Sequence, residues 1–520
     1  MKKVLPFLMF AFIGLSPNAQ TMFQKTYGGS GSEVGNSVKQ TTDGGYIITG
    51  YTTSFGAGNY DVYLIKTNAN GDIVWTKTFG GTGVEYGYSV QQTTDGGYII
   101  AGQTNSFGAG NDDVYLIKTN SNGDSLWTKT YGGSNTDYGR FVLQTPDGGY
   151  IIAGGTASFG NTNGDIYLIK TDSVGDTLWT KTYDINNGIG TYCMQPTNDG
   201  GYIISGRSGF YIAYMIKVNS NGIPIWTKNY NIGQVQMGLN SVQQTIDGGY
   251  ILSGSISPNL ANNVFLIKTD SIGDTLWIKK YGGSGDNEGN SLIQARDGGY
   301  IICGLTNNFG GGNYDVYLIK TNSNGDTLWT KTYGGINGDI GLNIQQTTDG
   351  GYIITGSTGS FGAGSSDVYL IKTDSLGNSG CNQYNTATVT SIAPFQVSSP
   401  TAIVSSGGII SHASTLVGSG GIINTLCFSE GINEITKNTS LTLYPNPTSG
   451  TFTLSYNSQL SLLHSQFKIY DITGRKVYTQ SITNPNQSTI DVSGLSNGIY
   501  YWEMIGADKE TFRGKFVIEK

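Results

Sequence analysis

Seven near-copies of one unit predict an all-β chain, organised as a seven-bladed β-propeller of four-stranded blades. Three observations predict it. The signature Asp-Gly-Gly-Tyr starts at Asp43, Asp95, Asp147, Asp199, Asp247, Asp297 and Asp349, at intervals of 52, 52, 52, 48, 50 and 52 residues. A fixed period in that range marks an array of supersecondary units. Glycine supplies 79 of 520 residues, about 15% against a usual share of about 7%, and with 34 Tyr it suggests many short strands joined by tight turns. Each unit also divides into four strand-like runs, which in the second unit are Ser89 to Thr93, Tyr98 to Thr104, Asp113 to Thr119 and Ser125 to Tyr131.

The first element of the chain is an address. Met1-Lys2-Lys3 is basic, Val4 to Leu15 is apolar, and Ser16 to Gln20 is small and polar. This is the layout of a secretory signal peptide, with cleavage expected after Ala19 and the segment 1–19 removed. An apolar run of about 12 residues is too short to span a bilayer. No cysteine follows it, so a lipoprotein anchor is not expected, and no transmembrane anchor is expected elsewhere.

The repeats come next, over 20–380. Tyr98-Ile99-Ile100 and Val114-Tyr115-Leu116-Ile117 are apolar at consecutive positions. Alternate side chains leave opposite faces of a strand, so both faces must be buried, as in a sheet packed between neighbouring sheets. In the fourth run Trp127, Lys129 and Tyr131 point one way and Thr128 and Thr130 the other, which suits an outer strand with one wetter face. Radial repetition of such four-stranded sheets describes propeller blades. Asp95-Gly96-Gly97 and Asn120 to Asp124 supply residues that tolerate positive φ and bond their own backbone. Asp/Asn-rich calcium loops are the competing reading, but Thr171-Asp172-Ser173-Val174-Gly175-Asp176 lacks the alternating carboxylates and distal Glu they need.

The ends of the array suggest how it closes. Phe23 to Gly29 matches Trp127 to Gly133, whereas the last unit reaches Ser379-Gly380-Cys381 where its Trp strand should come. The N-terminal strand Phe23 to Tyr27 is therefore expected beside Val368 to Lys372, hiding the free edges. A linear solenoid is the runner-up.

Repetition also argues about chemistry. Lys66, Lys118, Lys170, Lys217, Lys268, Lys320 and Lys372 share one repeated position, and seven copies read as scaffold; a half-buried lysine wants a carboxylate or carbonyl partner. Glu33, Glu85, Asp137 and Asp339 match in the longer loops, where they form either a partial acidic ring or a repeated loop brace. Those longer loops, such as Ser54 to Tyr60 and Gly80 to Tyr88, gather on one face, and function on a rigid scaffold tends to sit there. The sector that departs from the repeat is Arg207-Ser208-Gly209-Phe210-Tyr211 with Asn231 to Met237. Aromatic, Arg and amide side chains together suit a sugar or peptide, so Arg207, Phe210, Tyr211, Gln234 and Gln236 are the candidate ligand-binding residues. Drift without function is the competing reading.

Composition limits the function classes. Charged residues make up 12% and the net charge is -7, which gives no basic face for nucleic acid. His412 and His464 both lie outside the repeats, so the repeats hold no histidine for acid/base work. No cofactor, no metal site and no catalytic residue is implied.

From Asn382 to Leu426 there is no Asp, Glu, Lys or Arg, and this Ser/Thr/Gly/Ile-rich stretch reads as a β-rich connector over 381–437. Cys381 and Cys427 bracket it and are expected to form a disulfide. Cys193 and Cys303 lie inside blade strands and are expected as buried free thiols.

The last element is a small β-sandwich, suggested by alternating strands and turn residues at short spacing. Its motifs are Leu441 to Gly450 with Tyr444, Pro445, Asn446, Pro447 and Gly450; Phe467 to Val477 with Tyr470, Asp471 and Gly474; and Leu495 to Tyr501 with Gly498 and Tyr500. In this order, over 438–520, they resemble the type A C-terminal sorting domain of the type IX secretion system. The resemblance implies a partner in the type IX machinery, export across the outer membrane, and a protein that is attached to the cell surface or released. The repeats also look like those of secreted bacterial propeller proteins. The expected function is a non-catalytic binding or adhesion module for an extracellular sugar or protein. The alternatives are a propeller enzyme acting on polysaccharide and a purely structural surface protein.

Overall fold

Repeated burial on both faces makes the sheets. Asp113–Thr119 is buried at every position, and so is its counterpart in most units. Such a strand has no polar face, so it can lie only inside a sheet that is itself sandwiched. The computed structural model describes residues 20–520 except 161–163, 186–188, 210, 232–235, 258–261, 387, 392–395, 399–402, 406–408, 413–415, 419, 430–441, 445–447, 456–464, 472–474, 483–486 and 506–510. The expected signal peptide lies outside the described residues. The chain divides into two compact units, Gln20–Ser429 and Glu430–Lys520.

In the larger unit the structure is all-β, made of repeated antiparallel sheets arranged like propeller blades. Among the described residues it holds seven such sheets. Sheet two runs Glu85–Gln92, Tyr98–Thr104, Asp113–Thr119 and Ser125–Gly132 in order. The first strands of the seven sheets are Glu33–Gln40, Glu85–Gln92, Asp137–Gln144, Ile189–Pro196, Gln236–Gln244, Asn287–Gln294 and Asp339–Gln346. Each adjoins the first strand of the next sheet, and that of sheet one adjoins that of sheet seven. Met22–Gly28 pairs with Asp367–Thr373, with Phe23 opposite Lys372 and Tyr27 opposite Val368. It thus occupies the outer position that sheet seven lacks in sequence.

The Asp-Gly-Gly-Tyr signature is explained by one buried lysine. Lys118 Nζ pairs with Asp95 at 2.8 Å and donates to the Thr119 carbonyl at 2.9 Å. Asp95 also accepts from the Thr93 hydroxyl and the Gly97 amide. Burial alone would raise the Asp95 carboxyl, but bonds from Lys118 and Thr93 hold it down at about 2. Gly96 turns at φ +82, and a Cβ on Gly97 would meet the Thr119 carbonyl oxygen at 2.1 Å. Lys66, Lys170, Lys217, Lys268, Lys320 and Lys372 repeat the ion pair. The motif is therefore scaffold.

Two boundaries differ from expectation. The first strands start earlier than the sequence suggests, so Glu85 to Tyr88 is strand, not loop. The repeated carboxylates at those strand starts are what hid this: Glu85 reads as loop, yet it is fully buried. The second difference concerns the uncharged stretch, which is no separate connector. Its segments Gln383–Asn385, Val389–Ser391, Gln396–Ser398, Ile403–Ser405, Ile409–His412, Leu416–Gly418 and Ile422–Ser429 each add a fifth, outer strand to one sheet. They visit sheets six, five, four, three, two, one and seven in that order, running backwards along the array. The physical reason is the unpaired N–H and C=O row that an outer strand leaves; seven like edges accept seven short antiparallel strands. Cys381 and Cys427 are joined, 46 residues apart, so the ends of this belt are covalently tied. Cys193 and Cys303 are buried free cysteines.

The smaller unit pairs a three-stranded sheet, with Thr442–Tyr444, Thr451–Ser455 and Gln487–Asp491, with a four-stranded one, with Gln466–Tyr470, Lys476–Ser481, Gly498–Ile505 and Thr511–Ile518. Phe452, Leu454, Phe467, Ile469, Trp502 and Phe516 form their common core.

Candidate functional site: the lining of the central cavity

The first strands of all seven sheets line one cavity of about 820 Å³. What reaches into it is set by a backbone irregularity. In sheet two Gly87 pairs with Gly102 and Ser89 with Ala101, so Tyr88 is an extra residue without a partner. A bulge of this kind re-aims a side chain. The close approach needs glycine: a Cβ on Gly102 would meet the Tyr86 carbonyl oxygen at 1.7 Å. The same skip isolates Asn36, Arg140, Tyr192, Asn240, Asn290 and Leu342. All seven skipped residues line the cavity.

These seven positions are unequal. Asn36, Asn240 and Asn290 donate to the Gly87, Gly289 and Gly341 carbonyls of the next sheet, at 2.9, 3.0 and 2.9 Å. Three amides are thus used as stitches. Tyr88, Arg140 and Tyr192 instead form a wall across sheets two to four. The Arg140 guanidinium lies 4.0 Å from the Tyr88 ring and 5.4 Å from that of Tyr138. Tyr86 extends the aromatic run, 5.9 Å from Tyr88 and 5.0 Å from Tyr51. Tyr60 closes it at 5.3 Å from Tyr51. Three residues along the strand from Asn36, Lys39 also faces the cavity. Burial among the walls lowers its amine below the ordinary lysine value. Glu288 is the carboxylate in the lining. Burial, then the neighbouring Asp286, raises its carboxyl, and Asn262 donates to it at 3.2 Å.

Glu33, Glu85, Asp137 and Asp339 prove to be loop braces. Glu85 accepts from the Gly81 amide at 2.9 Å and the Thr104 hydroxyl at 2.8 Å; Glu33, Asp137 and Asp339 accept from Gly29, Gly133 and Gly335 in the same way. None lines the cavity. At the tight turns, Asp172 accepts from the Val174 and Asp176 amides, which gives that carboxylate a turn-bracing role.

Of the ligand-binding residues expected from sequence, Arg207 lies on Tyr202–Ser208, its guanidinium 6.0 Å from the ring of Tyr192. It therefore abuts the cavity wall. Tyr211 is exposed just before Ile212–Val218, and Gln236 is exposed at the start of the first strand of sheet five. Phe210 and Gln234 lie outside the described residues. Sequence reasoning missed Tyr88, Arg140 and Tyr192. One signal would have found them: Asn36, Tyr88, Arg140, Tyr192, Asn240, Asn290 and Leu342 form one column of the repeat, and in five of the seven units the residue before it is Gly.

In the smaller unit Gly498 opens its strand at φ +153, and Tyr500 is largely buried with its hydroxyl on the Ser496 carbonyl at 3.0 Å. Asp471 accepts from the Arg475 amide and guanidinium, both at 3.1 Å. Tyr470 ends its strand opposite Tyr501, and the buried Gly450 donates its N–H to Thr448. Tyr444 pairs with Thr453. Pro445, Asn446, Pro447 and Gly474 lie outside the described residues.

The chain is thus an all-β repeat protein with a small β-sandwich appended. Residues 442–519 match the family described as the secretion system C-terminal sorting domain, and the C-terminal unit is a member of that type IX family. The protein is accordingly secreted and attached at the cell surface. No curated protein sequence matches the chain. Among solved structures, Sqt1 from Chaetomium thermophilum is similar at 10% identity over 66% of this chain and 82% of that one, with a TM-score of 0.38. The extracellular domain of the hybrid two-component system BT4673 from B. thetaiotaomicron is similar at 10% identity over 93% and 68%, with a TM-score of 0.30. These likenesses are too distant to carry a functional reading. No helix among the described residues is long and apolar enough to cross a membrane.

Proposed function

We propose that the seven sheets are the blades of a closed seven-bladed β-propeller, and that the protein is a non-catalytic binding module displayed outside the cell. The strand exchange between Met22–Gly28 and Asp367–Thr373 and the adjacency of sheets one and seven support the closed ring. The ligand, an extracellular sugar or protein segment, enters the cavity mouth beside the wall of Tyr86, Tyr88, Arg140 and Tyr192, with Arg207 against Tyr192. The observation that carries this reading is the wall itself: the bulges of three successive sheets aim Tyr88, Arg140 and Tyr192 into one cavity. Aromatic rings and arginine clustered in a concave site are the residues that dominate recognition.

Hydrolysis of a glycoside ordinarily needs two carboxyl groups flanking the bond, and among the described residues Glu288 lines the cavity without a second. That favours binding over a polysaccharide enzyme. The test is the full chain on glycan and peptide arrays, beside product analysis of the same glycans. Binding that weakens in Tyr88→Ala and Tyr192→Ala supports the reading. Turnover would make the protein an enzyme, and silence on both arrays would leave a structural surface protein.

A further inference from the structure

Two cations line the cavity, and among the described residues no carboxylate pairs with either. Most lysines of the repeat are engaged: one set pairs with the Asp of the tight turn within its own sheet, and a second set, Lys25, Lys77, Lys129, Lys228 and Lys279, pairs with Asp72, Asp124, Asp176, Asp274 and Asp326. Lys39 and Arg140 are the cations of the cavity lining. Among the described residues neither makes an ion pair or a hydrogen bond; Arg140 touches only the faces of Tyr88 and Tyr138, and its Nε is buried without a partner. Glu288, the cavity's carboxylate, is bonded to Asn262 instead. Leaving buried donors and charges unmatched is costly, and it is tolerated where a ligand supplies the missing group.

We infer that the cavity takes a carboxylated saccharide, its carboxylates held at Arg140 and, separately, at Lys39; this rests on the binding reading above. Stacking on Tyr88 fixes the guanidinium plane, and a fixed planar fork suits a bidentate carboxylate. Tyr192 offers a flat ring for a sugar face. Asn36 and Asn240 spend their amide N–H groups on the neighbouring sheet, which leaves their side-chain carbonyl oxygens to accept sugar hydroxyls. A net charge of -7 repels anions in general, so anion capture here must come from Arg140 and Lys39 and not from the overall field.

The test is calorimetric titration of the full chain with tetragalacturonate, its methyl ester and tetraglutamate. Tetragalacturonate should bind, and the ester should bind at least tenfold more weakly. Arg140→Leu should weaken the acid at least tenfold, Arg140→Lys less, and Lys39→Met several-fold. The ester comparison keeps the test alive should Arg140→Leu misfold. Equal binding of acid and ester, or unchanged binding in both Arg140→Leu and Lys39→Met, overturns the inference. Binding of tetraglutamate without tetragalacturonate overturns it in favour of an acidic peptide. Failure with tetragalacturonate while an array glycan still binds in a Tyr88-dependent way removes this inference alone; silence on the arrays removes the binding reading with it.

Discussion

Asp315→Asn should stabilise the protein at neutral pH and not at acid pH. Asp315 and Asp339 are both fully buried, at the junction of sheets six and seven. Asp315 accepts from the Gly312 amide at 3.1 Å, and Asp339 from Gly335 and Ser360. The Oδ1 atom of each has no hydrogen-bond partner. A Cβ on Gly334 would lie 2.4 Å from Asp315 Oδ1 and 2.5 Å from Asp339 Oδ2, so the carboxylates face each other across a missing side chain. Burial, with Asp339 adding to it, pushes the Asp315 carboxyl up to about 6. A carboxyl raised in the folded state makes folding easier when protonated. Its penalty is absent below about pH 4, grows as pH rises to about 6, and is complete above that. A rise of about two pK units corresponds to at most about 3 kcal/mol, and structural relaxation should leave about 1–2 kcal/mol. Asparagine keeps the acceptor for Gly312 and turns its amide toward Asp339. The same chain uses this solution one junction earlier, where Asn263 and Asn287 meet beside Gly282. Denaturant melts of both proteins at pH 4 and pH 7.5 measure the effect. A gain at pH 7.5 that disappears at pH 4 is expected; a loss at pH 7.5, or the same gain at both, would refute the reasoning.

Other consequences follow from the scaffold and the address. Gly96→Ala, in open space at φ +82, should cost about 1 kcal/mol, whereas Gly97→Ala, driven into the Thr119 carbonyl, should cost several times that in the same melts. The tight-turn carboxylates Asp43, Asp95, Asp147 and Asp199 are held at about 2; their contribution is present above about pH 4 and lost as pH falls toward 2, so unfolding between those values should shift to higher pH in Asp95→Asn. Replacing Cys381 and Cys427 by Ser frees a belt whose anchors lie 46 residues apart, which should cost roughly 4 kcal/mol in the chain-entropy model and direct limited proteolysis to 383–426 first. Deleting 442–520 should hold the protein in the periplasm, read by fractionation; normal surface delivery would defeat the assignment.

The repeat made most of the large unit legible. Period, two-faced apolar strands and the split end unit gave the sheets and the pairing of Phe23 with Lys372, because these are features of sequence spacing. The belt was not legible as a belt, although its strands start at 383, 389, 396, 403, 409, 416 and 422, steps of six or seven residues. Three-residue strands are too short for periodicity to register, and what orders them is the outer edge of sheets far away in sequence. The cavity lining was missed for another reason. Glu85 and Asp137 begin their strands as polar residues and read as loop, so the bulge residues Tyr88 and Arg140 were never placed facing inward. In the sector that departs from the repeat, the Arg207 guanidinium lies 6.0 Å from the Tyr192 ring.

Ligands are expected to engage the cavity mouth and not the outer edges of the sheets. Hydrogen–deuterium exchange of the full chain, with and without the tightest array ligand, tests it most directly. Protection confined to 85–92, 137–144 and 189–196 is the expected result. Protection centred on the belt strands between 383 and 429, with the first strands unchanged, would contradict it.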